Sequence, residues 1–232
     1  MNSRAGFLLA LMLAPAPAQA AERSFTLTGF DRLQVEGPYV VEVRTGRGGS
    51  AKASGDRDAI DALRMDVTGQ TLTIRADRIN WKGTSTRDAP GPVLIRLTTG
   101  ELRRAALAGA GSLAIDRLRG PRVELAVQGS GRMTVESIAA DRLDITATGS
   151  GAMKLAGTTK ALNMTLRGSA SVDGAALVAN DLVLTNQGDG DITIGAKGTA
   201  KITATGAGQT TVKGTRSCTV SARGAGTVSC DR

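Results

Sequence analysis

The chain has 232 residues, no histidine, two cysteines, one tryptophan, one tyrosine, three phenylalanines and a formal net charge of +8. The missing histidine removes Ser-His-Asp and Cys-His nucleophile systems and most zinc sites, and an aromatic content of 2% argues against a nucleic-acid binder that stacks bases. Lysine and arginine are scattered rather than blocked, which reads as a soluble basic surface open to acidic glycans rather than a polybasic arm.

The first element is an export signal over residues 1–20. Arg4 supplies the positive start, GFLLALMLA at 6–14 the apolar core, and Ala18 and Ala20 the small-residue cleavage pattern. The apolar run is far short of the roughly 20 residues that a membrane span needs, and no later run reaches that length. No cysteine lies near the cut to carry a lipid. A product starting at Ala21, in the periplasm, outside the cell or at its surface, is the expectation.

Residues 21–104 read as an irregular β section. Its strands are expected at LQVEG (33–37), VVEV (40–43), LRMDV (63–67), TLTI (71–74) and VLIRL (93–97), with a long polar segment between Ala76 and Pro92. All aromatic residues after position 20 fall here: Phe25, Phe30, Tyr39 and Trp81. Trp81 is expected to pack as a cap residue. A stack of strands leaves an open edge at its end, so this section is expected to cap the remainder of the chain.

Residues 105–232 form a repeat. Gly-x-Gly turns or their variant recur at 109–111, 129–131, 149–151, 168–170, 188–190, 206–208 and 224–226, at spacings of 18 to 20 residues. The positions before each turn align in apolar columns: Val123, Leu143, Leu162, Leu182, Ala200, Cys218; then Leu125, Ile145, Met164, Leu184, Ile202, Val220. Polar residues alternate with them, the mark of a half-buried strand, and a second strand comes after each turn. So short a unit cannot bury its own apolar face, but stacked on copies of itself it can. The predicted fold is all-β: a right-handed parallel β-helix, a β-solenoid with coils of about 18–20 residues rising about 4.8 Å each. An antiparallel sandwich of hairpins would alternate in the same way, but it gives no reason for the columns to match from coil to coil.

The segments GFDRLQVEGPYVVEV and VLIRLTTGELRRAALAGAGSLAI, with the later GSG and GDG turns, resemble the GIN-domain family, a domain of unknown function described as an adhesin head. The resemblance spans roughly Phe30 to Val212. It implies an exported bacterial β-helix and offers no catalytic residues to carry over.

The remaining chemistry is sparse. Asp189 and Asp191 in the GDGD run are the best carboxylate candidates for action on an acidic polysaccharide, but neither aligns with a second acid in a neighbouring coil. Calcium binding by a glycine-rich repeat would need that Asp to recur, and it does not. Arg104 beside Glu124 and Lys154 beside Asp173 read as exposed ion pairs between coils. One outward column runs Ala106, Ala126, Thr146, Thr165, Thr185, Thr203, Ser221. The threonines Thr146, Thr165, Thr185 and Thr203 form a possible ligand or water-ordering face. Neighbouring Gln128, Arg167, Gln187 and Arg223 break its flatness. Cys218 and Cys230 are expected to form a disulfide across the last coil. The expectation is a non-catalytic cell-envelope module, without cofactor or metal, that binds an envelope glycan or protein and no nucleic acid.

Overall fold

The computed structural model describes residues 21–77 and 93–231. The export signal expected at residues 1–20 and the expected cap residue Trp81 lie outside the described residues.

The coil arises directly from the alternation. In β10 (Arg132–Gly149), Leu143, Ile145 and Ala147 are buried, while Asp144, Thr146 and Thr148 between them are not. β10 pairs in parallel with β9 (Ser112–Gly129) on one side and β11 (Ala152–Gly168) on the other. Leu143 lies beside Val123 and Leu162, and Ile145 beside Leu125 and Met164, so each apolar column continues through the stack. The pairing is parallel, which an antiparallel sandwich of hairpins cannot supply. Burying one such Leu or Ile contributes about 1.5–3 kcal/mol. β12 (Ser171–Gly188) completes the run of long strands, and about six turns of solenoid result.

The inter-coil register slips between β10 and β11 near Val135/Ile138 and between β11 and β12 near Lys154/Ala156, marking a bend in the strands. The bend gives the coil a third inward position, filled by Leu118, Ile138 and Leu177. Gly157 stands in that column because a side chain there would meet the Ile138 backbone. Corners are tied by hydroxyls: Thr159 Oγ1 donates to Ala161 O at 3.1 Å, and Thr215 Oγ1 to Gly198 O and Ser217 O at 3.0 Å each.

The turns stack as closely as the strands. Gly149 has φ +107°, and a Cβ on it would lie 2.6 Å from Gly129 O. No L side chain accepts both conditions. The same contact links Gly109, Gly129, Gly149, Gly168, Gly188, Gly206 and Gly224 in succession.

That glycine column begins earlier than the repeat. Gly37, at φ +122°, lies directly against Gly109. β2 (Arg32–Glu36) before it pairs in parallel with β8 (Arg104–Gly109), and β3 (Val40–Thr45) after it pairs in parallel with β9. The segment Arg32–Thr45 is therefore a rung of the solenoid itself. On its other side lie β6 (Thr71–Ala76), beside β2, and β7 (Leu94–Thr99), beside β3. Antiparallel strands then close this end. β5 (Leu63–Thr68) covers β6, β4 (Ser50–Gly55) covers β7, and β1 (Ala21–Thr26) covers β4. Between β4 and β5 sits a single helical turn, α1 (Arg57–Asp61), capped by the Asp56 side chain accepting from the Ala59 N–H at 3.1 Å.

The opposite end is built from shorter strands. β13 (Ile192–Ala196), β15 (Thr210–Lys213) and β17 (Val228–Asp231) stack on one side, and β14 (Thr199–Thr205) and β16 (Ser217–Arg223) on the other. No described strand covers the far side of β16 and β17. Ile202 is 1% exposed while Val220, in the same column, is 44% exposed. Position in the stack, not residue type, makes that difference.

Candidate binding faces

Two long faces flank the glycine turns, one before them and one after.

On the face before the turns, β8 to β12, β14 and β16 project outward columns. Arg104 pairs with Glu124, which also meets Arg122 Nε at 3.2 Å. Arg122 bridges to Asp144 at 2.9 Å, and Asp144 meets Arg142 at 3.0 Å and accepts from Asn163 Nδ2 at 3.0 Å. These charges form one continuous chain across successive coils. The pair expected at Arg104 and Glu124 is its first link. Beside it, Thr146, Thr165, Thr185, Thr203 and Ser221 stand in direct register. Further along, Asp181 accepts from the Thr199 hydroxyl at 2.6 Å and the Thr199 N–H at 3.2 Å, with Asn180 Nδ2 at 2.9 Å. Those bonds, led by the Thr199 hydroxyl, hold the Asp181 carboxyl below the usual range.

On the face after the turns, the first outward column runs Arg132, Ala152, Ser171, Asp191. The second runs Thr134, Lys154, Asp173, Thr193. Together they line a shallow hollow of ≈ 360 Å³. Small residues, Ala152 and Ser171, make its floor. Register sets Lys154 beside Asp173, yet the side chains do not close into an ion pair. The Asp173 carboxylate instead accepts from the Ala175 N–H at 3.3 Å. The apolar columns alone give no sign of this hollow. It becomes visible in the sequence only when the polar columns after the turns are aligned in the same way.

The two aspartates of the GDGD run serve the stack. Asp189 accepts from the Ala207 N–H at 2.9 Å, and Asp191 from the Gln209 N–H at 3.0 Å, each reaching to the next coil. Their side chains thereby help hold that coil to its neighbour. Among the described residues, no cluster of three or more His, Cys, Asp or Glu side chains could hold a metal ion. No helix among them is long and apolar enough to cross a membrane.

A second hollow, ≈ 340 Å³, lies among Phe30, Asp31, Gln70, Thr99, Glu101 and Arg103, where the first rung meets the closing strands. Thr99 Oγ1 donates to Phe30 O at 2.5 Å there. Arg103 pairs with Glu101 at 3.0 Å, and that hydrogen bond holds the Glu101 carboxyl low. Burial pushes the Tyr39 hydroxyl up.

At the far end, Cys218 and Cys230 are joined, with their Cα atoms 6.5 Å apart. The bond crosses the last coil from β16 to β17, as their columns imply.

Solved structures share this fold. A "putative adhesin" from Bacteroides fragilis superposes with a TM-score of 0.81 at 21% identity, covering 93% of this chain and 98% of that one. A "putative adhesin" from Parabacteroides merdae gives 0.69 at 16% identity, covering 93% and 97%. A "putative lipid binding protein" from Parabacteroides distasonis gives 0.67 at 18% identity, covering 93% and 98%. A search among curated proteins found no match. The family model described as "Putative auto-transporter adhesin, head GIN domain" matches residues 29–216, and the chain belongs to that GIN-domain family.

Proposed function

We propose that the protein is a non-catalytic, exported cell-envelope module that binds a glycan or protein partner along the side of its solenoid. The observation that carries the reading is the pair of outward faces held in place by a parallel ladder that runs from coil to coil. Such a surface places polar groups at a fixed repeat along one axis, which suits an extended partner with a repeat of its own. The family's adhesin description points the same way. The export signal read at residues 1–20 supports placement in the periplasm or at the cell surface.

Catalysis on an acidic polysaccharide through Asp189 and Asp191 is the weaker reading, because each of these carboxylates already accepts a backbone N–H from the next coil.

The test has two parts. The purified domain is applied to arrays of bacterial-envelope and host-surface glycans and to envelope fractions, with fractionation of the producing cell alongside. Retention by a defined glycan or protein, and recovery outside the cytoplasm, are expected. A domain that retains nothing from any array or fraction, or that stays cytoplasmic, overturns the proposal.

A further inference from the structure

The cations around the hollow after the turns differ from those at the start of the face before them. There, Arg104, Arg122 and Arg142 are each paired with Glu124 or Asp144, while Arg167 and Lys201 further along that face have no carboxylate partner among the described residues. After the turns, Arg132 and Lys154 are exposed, lie on adjacent coils and have no carboxylate within ion-pair distance among the described residues. They occupy the first two coils of the ≈ 360 Å³ hollow, and Asp173 and Asp191 the next two, with Lys154 beside Asp173.

We propose that this hollow is a binding site for an acidic polysaccharide segment lying along the solenoid axis. The inference rests on the binding-module reading above. The sugar carboxylate sits on Arg132 and Lys154, and ring hydroxyls donate to Asp173 and Asp191.

The geometry supports each part. Arg132 and Asp191 bracket Ala152 and Ser171 in one outward column, three coil steps apart, so the hollow is about 14 Å long at the usual strand spacing. Its charge is divided along that length, cationic at the Arg132 end and anionic at the Asp191 end. A polymer in which a carboxylate-bearing sugar alternates with a neutral one is complementary to both ends, whereas a polymer charged at every residue meets repulsion at Asp191. Asp173 and Asp191 are aimed by single backbone N–H bonds at 3.3 and 3.0 Å, which leaves carboxylate lone pairs to accept sugar hydroxyls. Thr134 and Thr193 add hydroxyls along the walls, and Ser171 one on the floor. The floor offers the Ala152 methyl and no deep apolar pocket. It suits a flat polyhydroxylated ring better than a peptide's side chains.

The probe is a hyaluronan oligosaccharide, in which uronates alternate with neutral sugars, titrated calorimetrically into the purified domain at low ionic strength. Binding is expected, and Arg132→Ala combined with Lys154→Ala should weaken it at least tenfold. Arg104→Ala combined with Arg142→Ala removes the same charge from the other face and should leave affinity within about twofold. Methyl-esterified oligomer, with its carboxylates masked, should not bind, and sulfated oligomer should bind more weakly than the uronate. Thermal melts of both double variants check folding, and Ala152→Trp, which fills the floor without touching charge, should abolish binding.

Equal loss in the two double variants would show a diffuse charge effect and overturn the proposal. So would binding of the ester as tight as that of the acid, or no binding of the acid at all. If the domain captures another glycan with no dependence on Arg132 and Lys154, this site falls and the general binding reading stands.

Discussion

The two halves of the solenoid reach the same cross-section by different routes. From β8 onward, chain order and spatial order coincide, and each coil is laid on the one before it. In the N-terminal part they do not. The rung of β2 and β3 lies between the later strands β6 and β7 on one side and β8 and β9 on the other. The repeat half is held by near neighbours in sequence, the N-terminal half by contacts such as Thr45 with Asp116, 71 residues apart. A solenoid can grow by simple propagation, whereas its N-terminal end is closed here by strands that depart from the period.

The largest expected effect is in the repeat core. Leu184→Asp or Ile145→Asp places an unpaired charge between two apolar coils and should abolish the cooperative melt. Leu184→Ala should lower stability by about 2–5 kcal/mol in denaturant unfolding. The comparison is sharpened by two glycines. Gly149→Ala meets the Gly129 carbonyl and should lose at least ~2 kcal/mol. Gly69→Ala, at φ +61° in the β5–β6 hairpin with open space around it, should lose only ~1–2 kcal/mol. Equal losses would mean that the stacked turns tolerate more than their spacing implies.

Next comes the far end. Replacing Cys218 and Cys230 together by serine should lower stability by about 3 kcal/mol on the loop-entropy model. Hydrogen exchange should show the loss concentrated in β14 to β17, with β2 and β3 unaffected. Fast exchange spreading evenly through both halves would show that the bond acts on the whole rod.

A smaller effect is expected at Asp181. Its carboxyl is held low in the folded state, so its stabilisation is present above the unfolded value of ~3.9 and fades as pH falls through the lower folded value. The melting difference between the native chain and Asp181→Asn should be constant from pH 7 to 5 and shrink below about pH 4. Smallest of all, Arg122→Ala removes exposed links and should change stability by about 0–1 kcal/mol. A much larger loss would mark the charge chain as a cooperative network.

The repeat half is legible because its coil is short and its period leaves a column for every inward residue. Leu143, Ile145, Leu162, Met164, Leu182 and Leu184 are all buried in the register their spacing implies. The third inward position of each coil, at Leu118, Ile138 and Leu177, reads in the sequence as a mere connection. Gly157 interrupts that column, and one apolar residue between bends carries no alternation to read. In the N-terminal part, β2, β3, β5, β6 and β7 lie where their alternation puts them. β1 and β4 escape a reading by alternation because AERSFT and SAKASG offer little contrast between polar and apolar positions. That Gly37 begins the glycine column is hidden from spacing, since 72 residues separate it from Gly109. The cationic end of the hollow is obscured for a related reason: Arg132 and Lys154 fall in different columns, so neither column alone looks basic.

The order of the rungs also bears on how the chain assembles. A chain that emerges N-terminus first delivers β2 and β3 long before β8 and β9 arrive to flank them. Closing a long loop carries an entropic cost that local coils avoid, and pairing across large sequence separations is slow. Until residues near Ile115 are available, Arg32–Thr45 has its β6 and β7 partners on one edge and a bare edge on the other. Later coils each find a template already in place. The interleaved rung is thus the step at which this protein must be shielded from pairing with the wrong strand, and the region where a chaperone would have most to do.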